Sequence, residues 1–151
     1  MKKRSIILFL ASGAYSGYIS RAPGTWGTLA GLPICYLVSL FSLPIQCMLI
    51  LIFLFFSAWI CGEGEKYLGT KDPGIIVIDE IAGIMVTMAF LPFTWFNIVW
   101  GVILFRCFDI LKPYPISKAE TFFQGGTGVL MDDIIAGIFA RFFLEMIIII
   151  L

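Results

Sequence analysis

Long apolar segments are the feature that most restricts the fold of this 151-residue chain. Hydrophobic residues make up 60% of it and charged residues 13%, against roughly 25% charged residues in soluble proteins. A helix needs about 20 apolar residues to cross a bilayer, and proline or glycine marks most breaks between the segments. We therefore predict an all-α, polytopic integral membrane helical bundle with about five crossings, forming one domain over residues 1–151. The predicted spans are 29–43, 45–62, 75–92, 97–111 and 128–150.

The first two spans are at or below the length of a full crossing, and only "SLPIQ" separates them. A tilted pair, a bent hairpin or one re-entrant segment fits this stretch. The N-terminal "MKKRSIILFLASGAYSG" begins with basic residues as a signal peptide does, but no clear cleavage site follows its short apolar run. We expect this stretch to form a short interfacial helix or a re-entrant segment.

Basic side chains fall on one side of this arrangement, whereas the opposite connections "SLPIQ" and "PFTWFN" carry no charge. By the positive-inside rule, the charged side faces the cytoplasm. The sequence therefore predicts a multi-pass membrane protein with its charged face inside the cell. The basic residues outside the spans are Lys2, Lys3, Arg4, Arg21, Lys66, Lys71, Lys112 and Lys118.

Five carboxylates lie inside the predicted spans, although a carboxylate at mid-membrane costs about 2.5–3.5 kcal/mol. All five lie close to the cytoplasmic ends of their spans, roughly 3–8 Å below the edge at about 1.5 Å per residue. They are predicted to form one acidic layer at the depth of the lipid headgroups. The layer comprises Asp79 and Glu80 of the third span, Asp109 of the fourth, and Asp132 and Asp133 of the fifth.

Two of the acidic spans share a local pattern. The stretch "DEIAGI" at 79–84 matches "DIIAGI" at 133–138, so Gly83 and Gly137 each follow an aspartate by four residues. Residues four apart share a helix face, and glycine on that face lets a neighbouring helix approach closely. Either the match is a coincidence within an apolar sequence, or the two helices pack through their glycines and direct their carboxylates to one point.

An acidic layer with surplus carboxylates needs a cation. The chain contains no histidine, and oxygen ligands alone suit magnesium, calcium or manganese. Lipid phosphates lie at the same depth, where Arg21, Arg106 and Lys112 could hold anionic oxygens. The residue pattern thus predicts a metal-assisted reaction on a lipid phosphate. For the stretch "FRCFDILKPYP", an ion-pair ladder in which Arg106 and Asp109 neutralise each other is the structural alternative.

Two glycine-rich stretches, "SRAPGTWGTLAG" at 20–31 and "QGGTGVLMDD" at 124–133, each lead into a predicted span. Free amides at a helix start favour an anion, although neither stretch is a Walker-type loop and each alone is a weak signal. Beside the acidic layer they are candidate phosphate cradles, with Thr25, Thr28 and Thr127 as candidate hydroxyl donors.

Four motifs occur in order between residues 22 and 137: "APGTWGT", "DPGIIVIDEIAG", "FRCFDILKPYPI" and "GGTGVLMDDIIAG". Together they resemble the phosphatidylglycerophosphatase A family. The resemblance implies a magnesium-dependent phosphatase of the bacterial inner membrane that converts phosphatidylglycerophosphate to phosphatidylglycerol and inorganic phosphate. It carries the family's acidic motifs onto Asp79, Glu80, Asp109, Asp132 and Asp133, and its basic and glycine motifs onto Gly24, Thr25, Gly27, Arg106 and Lys112.

Roles follow for these residues as expectations. The magnesium ligands are expected to be Asp79, Glu80, Asp132 and Asp133, and the catalytic residues Asp79, Glu80, Asp109 and Asp133. Asp109 is expected either to complete the metal site or to orient Arg106 toward the terminal phosphate. A water activated by the metal is the expected nucleophile, and attack by Asp79 or Asp133 through an aspartyl-phosphate is the alternative.

The expected partners are phosphatidylglycerophosphate and membrane lipid, and the pattern favours no particular oligomeric state. A net charge of zero without a polybasic run argues against nucleic acid. A cation- or proton-coupled small transporter is the alternative function because intramembrane acids also mark ion paths, although transporter sites lie near the bilayer midplane. A purely structural membrane subunit would leave the surplus carboxylates unexplained.

Overall fold

A computed structural model describes residues 2–114, 116–118 and 126–150. Over these residues the chain forms helices and turns without a strand, which confirms the predicted all-α class. A short 3-10 turn, Ser16–Tyr18, follows the first helix. The main helices are α1 (Lys2–Ala11), α2 (Pro23–Ser39), α3 (Leu43–Leu68), α4 (Ile78–Met88), α5 (Trp95–Leu111) and α6 (Gly126–Ile150).

The bundle has an apolar exterior and a partly polar interior. Thr28, Ser57 and Thr87 are fully buried, whereas Phe55 is 79% exposed and Trp95 is 82% exposed. Water-soluble proteins bury such apolar side chains, so this distribution indicates association with a membrane. Other exposed apolar side chains lie along the same helices, among them Leu37, Ile52, Trp59, Trp100, Phe142 and Ile149.

Helix α3, with 26 residues, is the single helix in the described part of the chain that is long and apolar enough to cross a membrane. It extends beyond the predicted 45–62 and ends where Gly69 takes the left-handed conformation and its N–H donates to Glu65 O at 2.8 Å. Helices α2 and α5 have 17 residues each, about 25 Å at 1.5 Å per residue. The five predicted crossings are therefore not confirmed.

Helix α4 is shorter than the predicted span 75–92 because it is interrupted at both ends. Before it, the N–H of Val77 donates to Ala11 O at 2.9 Å, so this residue bonds to the end of α1 instead of continuing the helix. After it, Phe90 has a left-handed φ of 59°. The 11 residues that remain are almost all buried, which places α4 inside the bundle.

Helix α1 confirms the expected short N-terminal helix. Its Ile7 and Ala11 are buried and belong to a cluster with Ile60 and Cys61 of α3. This contact holds the N-terminal helix against the C-terminal half of α3.

Helices α4 and α6 run parallel and pack through glycine. A Cβ at Gly137 would lie 2.5 Å from Gly83 O, so the two backbones are in close contact. Thr87 Oγ1 lies 3.0 Å from Gly83 O and 3.3 Å from Gly137 O, and its hydroxyl links the helices. Further along, Arg141 Nη1 donates to Ala89 O. The close packing predicted from the repeated "IAG" pattern is confirmed.

Helix α5 runs antiparallel to this pair. Near its start, Gly101 contacts Met88 and Leu144, which lie in the later turns of α4 and α6. Near its end, the fully buried ring of Phe105 covers Gly83. The last turns of α5 are therefore brought to the end of the bundle where α4 begins.

Glycines also form the face of α2 that contacts α4. A Cβ at Gly27 would lie 2.6 Å from Val77 Cβ, and one at Gly31 would lie 2.7 Å from Ile84 Cγ2. The helix starts at Pro23, six residues before the predicted span 29–43, because proline suits the first turn of a helix. Most of the first glycine-rich stretch is thus helix rather than loop.

Candidate active site

A polar cavity of about 60 Å³ lies at the end of the bundle where α4 starts and α5 ends. Its walls come from the loop before α4, the first turn of α4, the end of α5 and the early turns of α6. Carboxylates dominate them, so the five acids predicted to form one layer do meet in one cavity. The lining residues are Asp72, Asp79, Glu80, Asp109, Lys112, Val129, Asp132 and Asp133.

Three of these carboxylates converge closely. One oxygen from each of Asp79, Glu80 and Asp133 lies within 4.8 Å of the others. Asp79 and Asp133 are 4% exposed. Their helices can bring them together because Gly83 and Gly137, one turn further on, allow the backbones to touch. We call these three residues the carboxylate trio.

The trio fits a hard divalent cation. Glu80 Oε2 is buried and has no hydrogen-bond partner among the described residues. Asp79 Oδ1 accepts from the N–H of Glu80 at 3.1 Å. Converging carboxylates repel one another in a buried site unless a cation or protons neutralise them. An all-oxygen donor set is the one that magnesium, calcium and manganese prefer.

Arg106 and Asp109 form an ion pair beside the trio. Arg106 Nη1 donates to Asp109 Oδ2 at 2.5 Å, and the two side chains are 16% and 12% exposed. The guanidinium also lies against Gly24, next to Glu80 Oε1, and its buried Nε lacks a partner among the described residues. Asp109 thus pairs with Arg106 and also lines the cavity, outside the carboxylate trio.

Lys112 lies at the opening of the cavity and is paired with Asp132. Its Nζ donates to Asp132 Oδ2, and the side chain is 33% exposed. Burial of Lys112 disfavours its charged form, but the hydrogen bond to Asp132 and the charges of Asp133 and Asp109 outweigh this and raise the pKa of the ammonium. Asp132, predicted as a metal ligand, is therefore in the cavity but bound to a lysine and outside the trio.

Several predicted phosphate-binding residues lie elsewhere. Arg21 is exposed and does not line the cavity, and Thr25 is half-buried in the first turn of α2. Gly27 packs on Val77, and the fully buried hydroxyl of Thr28 donates to Gly24 O at 2.8 Å. Gly27 and Thr28 therefore serve the packing of α2, because the helix begins before them.

The second glycine-rich stretch is only partly described, since residues 124 and 125 lie outside the described ranges. Thr127 is exposed in the first turn of α6 and lines a separate apolar cavity between α3 and α6. Of the phosphate-binding candidates, the structure brings Gly24, Arg106 and Lys112 to the site.

Asp72 is a residue of the cavity that the sequence analysis missed. It lies in the loop between α3 and α4, where it has a left-handed φ of 46° and its N–H donates to Glu65 Oε1 at 2.9 Å. The "DPG" turn directly before the acidic helix is the sequence signal that could have indicated Asp72, because functional side chains are common in loops beside a catalytic helix.

Replacing Gly24 with alanine is expected to lower activity about tenfold without unfolding the protein. The added Cβ would overlap Glu80 Oε1 and lie 2.8 Å from Arg106 Nη1, so both side chains must move. Because these are side-chain ends, the fold can adjust, and a helical Gly→Ala change favours the helix by about 1 kcal/mol. Phosphate release and thermal unfolding measure the two effects. Gly62→Ala is the control, since a Cβ there meets nothing within 4 Å; equal activity in both variants would contradict the expectation.

Comparison with known proteins adds the family. A model of the family described as Phosphatidylglycerophosphatase A matches residues 9–148. The chain is 37% identical over 145 residues to a phosphatidylglycerophosphatase A of Haemophilus influenzae, covering 93% of this chain and 89% of that protein. It is 34% identical over 130 residues to the phosphatidylglycerophosphatase A of Escherichia coli, covering 85% and 76%.

A third relative carries a different name. The chain is 33% identical over 151 residues to a protein of Bacteroides thetaiotaomicron named "Putative phosphatidylinositol-3-phosphatase", covering 93% of this chain and 92% of that protein. No solved structure gives a significant match. From the extent of the family match and of these identities, the chain belongs to the phosphatidylglycerophosphatase A family and is a lipid phosphatase.

Proposed function

We propose that the protein hydrolyses phosphatidylglycerophosphate to phosphatidylglycerol and inorganic phosphate, with magnesium as its cofactor, at the cytoplasmic face of the membrane. The observation that carries the proposal is the convergence of three buried carboxylates within 4.8 Å beside an oriented arginine, in a member of this family. Membership of a lipid phosphatase family also argues against the small transporter that was considered as the alternative function.

The terminal phosphate of the substrate enters the cavity, where the acidic side chains would repel it if no cation were bound. Asp79, Glu80 and Asp133 would hold the cation, with Asp132 and Asp109 in the surrounding wall. When bound, a magnesium ion supplies charge neutralisation, polarisation of the phosphoryl oxygen and activation of a water. Three carboxylate oxygens would leave part of the coordination shell of magnesium to water and phosphate oxygens.

Arg106 binds the phosphate and stabilises the charge on its oxygens. Its position is fixed by the 2.5 Å bond to Asp109 and by the close packing of Gly24. A planar guanidinium can bond two phosphate oxygens at once, and preorganised donors of this kind are among the largest contributors to catalysis. Lys112 at the opening adds a second positive charge.

The carboxylates of the cavity are the groups best suited to move the protons of the reaction, since the chain has no histidine. Hydrolysis forms a bond from a water oxygen to phosphorus, breaks the phosphorus–oxygen ester bond, and delivers a proton to the released glycerol oxygen. A carboxylate oxygen of the trio accepts the proton of the attacking water. In the alternative route a carboxylate oxygen of Asp79 or Asp133 attacks phosphorus, the ester bond breaks and the glycerol oxygen leaves with a proton, and water then hydrolyses the aspartyl-phosphate to inorganic phosphate.

The distribution of side chains supports a multi-pass arrangement. Apolar residues are exposed along α2, α3, α5 and α6, while α4 is enclosed. A short helix flanked by irregular backbone is tolerated at membrane depth where other helices bury it. We place the cavity end in the cytoplasm because the basic residues of the connections lie on that side of the predicted topology.

Purified protein in detergent tests the function directly. We expect phosphate release from phosphatidylglycerophosphate with magnesium, and loss of at least about 90% of it when a chelator removes the metal. Phosphorus-32 from a labelled substrate would stay on the protein after rapid quenching if an aspartyl-phosphate forms. Absence of magnesium-dependent release would overturn the proposal.

A further inference from the structure

The carboxylates of the cavity differ in depth. Asp79 and Asp133 are 4% exposed and lie at its base, whereas Asp72 is exposed and lies at its opening with the half-buried Lys112. In the proposed reaction the carboxylates at the bottom of the cavity would hold the cation, and the arginine beside them binds the phosphate. Asp72 takes no part in that chemistry.

Asp72 is held in a defined position. Its left-handed φ of 46° is a conformation that aspartate adopts more readily than most other residues. The bond from its N–H to Glu65 Oε1 ties the loop to the end of α3. The carboxylate is therefore presented to the opening by a fixed turn.

A carboxylate at this position favours hydroxyl donors over phosphate. An ionised aspartate only accepts hydrogen bonds, and its oxygens offer about four acceptor sites, so it can bind a donor while keeping other contacts. It repels an anionic phosphate directly. Lys112, three residues beyond Asp109, has the opposite charge to Asp72, and its ammonium group is suited to bind a phosphodiester.

The lipids in the relatives' names share that chemistry. Phosphatidylglycerophosphate and phosphatidylinositol 3-phosphate each carry the terminal phosphate on a polyol with at least one free hydroxyl, and a phosphodiester joins this polyol to the diacylglycerol. Phosphatidic acid carries its phosphate directly on the diacylglycerol. With that phosphate at the trio, its ester carbonyls would lie at the opening, and these are acceptors that Asp72 cannot bind.

We propose that Asp72 is a specificity-determining residue that accepts a hydrogen bond from the polyol of the substrate while Lys112 binds the adjoining phosphodiester, so that the enzyme selects polyol-linked phosphomonoesters against phosphatidic acid. This inference rests on the proposed function and names its substrate class. Specificity of this kind combines a contact made by the right ligand with a negative charge that repels the wrong one.

The test compares kcat/KM for phosphatidylglycerophosphate and for phosphatidic acid in the same mixed micelles with magnesium. Asp72→Gly keeps the left-handed turn and removes the acceptor, and we expect the ratio of the two values to fall by about tenfold or more. Asp72→Asn keeps a neutral acceptor in the same turn, so an intermediate ratio is expected. The effect should appear mainly in KM, because the polyol is not the reacting group.

Glu63→Gln is the matched control. It removes a carboxylate that pairs with Lys66 at 2.8 Å on the surface of α3, outside the cavity, and the ratio should stay as in the parent protein. An unchanged ratio in the folded Asp72 variants would overturn the inference while leaving the phosphatase function intact. Failure of the parent protein to release phosphate from phosphatidylglycerophosphate would instead overturn the proposed function. If Asp72→Gly does not fold, Asp72→Asn carries the test.

Discussion

Asp79→Asn and Asp133→Asn are each expected to reduce magnesium-dependent phosphate release by about a thousandfold. Each variant removes one anionic oxygen from a trio whose members lie within 4.8 Å of one another, and a neutral amide of the same shape is a weaker ligand for a hard cation. Losses of about 10²- to 10³-fold are typical when one preorganised electrostatic contact of a catalytic site is removed. Initial rates over a magnesium titration measure the effect.

The same variants are expected to stabilise the metal-free protein. Two like charges a few ångströms apart repel by on the order of 1 kcal/mol or more in a partly screened site, and the asparagine removes that repulsion. Thermal unfolding with a chelator present should therefore show a higher Tm than the parent protein, and magnesium should raise the Tm of the parent more than that of the variants. Opposite changes in activity and stability distinguish a metal site from a merely structural cluster.

Asp132→Asn is the matched comparison in the same cavity. Because Asp132 is bound to Lys112 rather than belonging to the trio, its loss of activity should be smaller, about tenfold, with little change in the magnesium concentration required. Full activity in both the Asp79 and Asp133 variants would contradict the assignment of the trio. An Asp132 variant with the larger magnesium defect would show that the metal lies on the Lys112 side of the cavity.

Local sequence spacing predicted the centre of this site well. An aspartate and a glycine four residues apart lie on one helix face, so one of the two interpretations of the repeated pattern at Asp79 and Asp133 was a pair of close helices with converging acids. The same rule paired Arg106 with Asp109, three residues apart on α5, as the structure places them. Both inferences depend only on helix geometry, which the sequence specifies directly.

Contacts between distant segments were not predictable in the same way. The partner of Lys112 is Asp132, across 20 positions of the chain, and no periodicity within one helix reveals such a pair. The position of Asp72 depends on a left-handed turn and on a bond to Glu65, which a "DPG" turn signal does not specify. Tertiary packing decides these contacts.

The lengths of the helices were predicted least well. Hydropathy alone predicted one long span over α4 and its flanking residues. The residue that bonds to Ala11 O and the turn residue Phe90 are apolar, so hydropathy does not distinguish them from the helical residues of α4. The glycines of α2 suggested a loop, yet a glycine face is also what close helix packing requires. Glycine content therefore distinguishes a phosphate cradle from a helix interface only when the neighbour is known.

Gly137→Ala is expected to destabilise the bundle by about 1–3 kcal/mol and to lower activity at least about tenfold, because it wedges α6 away from α4. The added Cβ would lie 2.5 Å from Gly83 O and 3.2 Å from Val86 Cβ, and a helical backbone oxygen cannot move aside as a side chain can. Separation at Gly137 also moves Asp133, one turn earlier on α6, away from Asp79. Chemical unfolding in detergent and phosphate release measure the two losses.

Gly83→Ala and Gly62→Ala make the comparison quantitative. A Cβ at Gly83 would overlap the ring of Phe105, a side chain that can shift, and would lie 3.0 Å from Asp133 O, so a smaller loss is expected there. At Gly62 no atom lies within 4 Å, and the alanine should be neutral or stabilising because it is the better helix former. If Gly137→Ala keeps both the stability and the magnesium dependence of the parent protein, the contact of the two backbones is not what positions the carboxylates. The order Gly137, Gly83, Gly62 in decreasing loss would show that the distance between α4 and α6 sets the geometry of the trio.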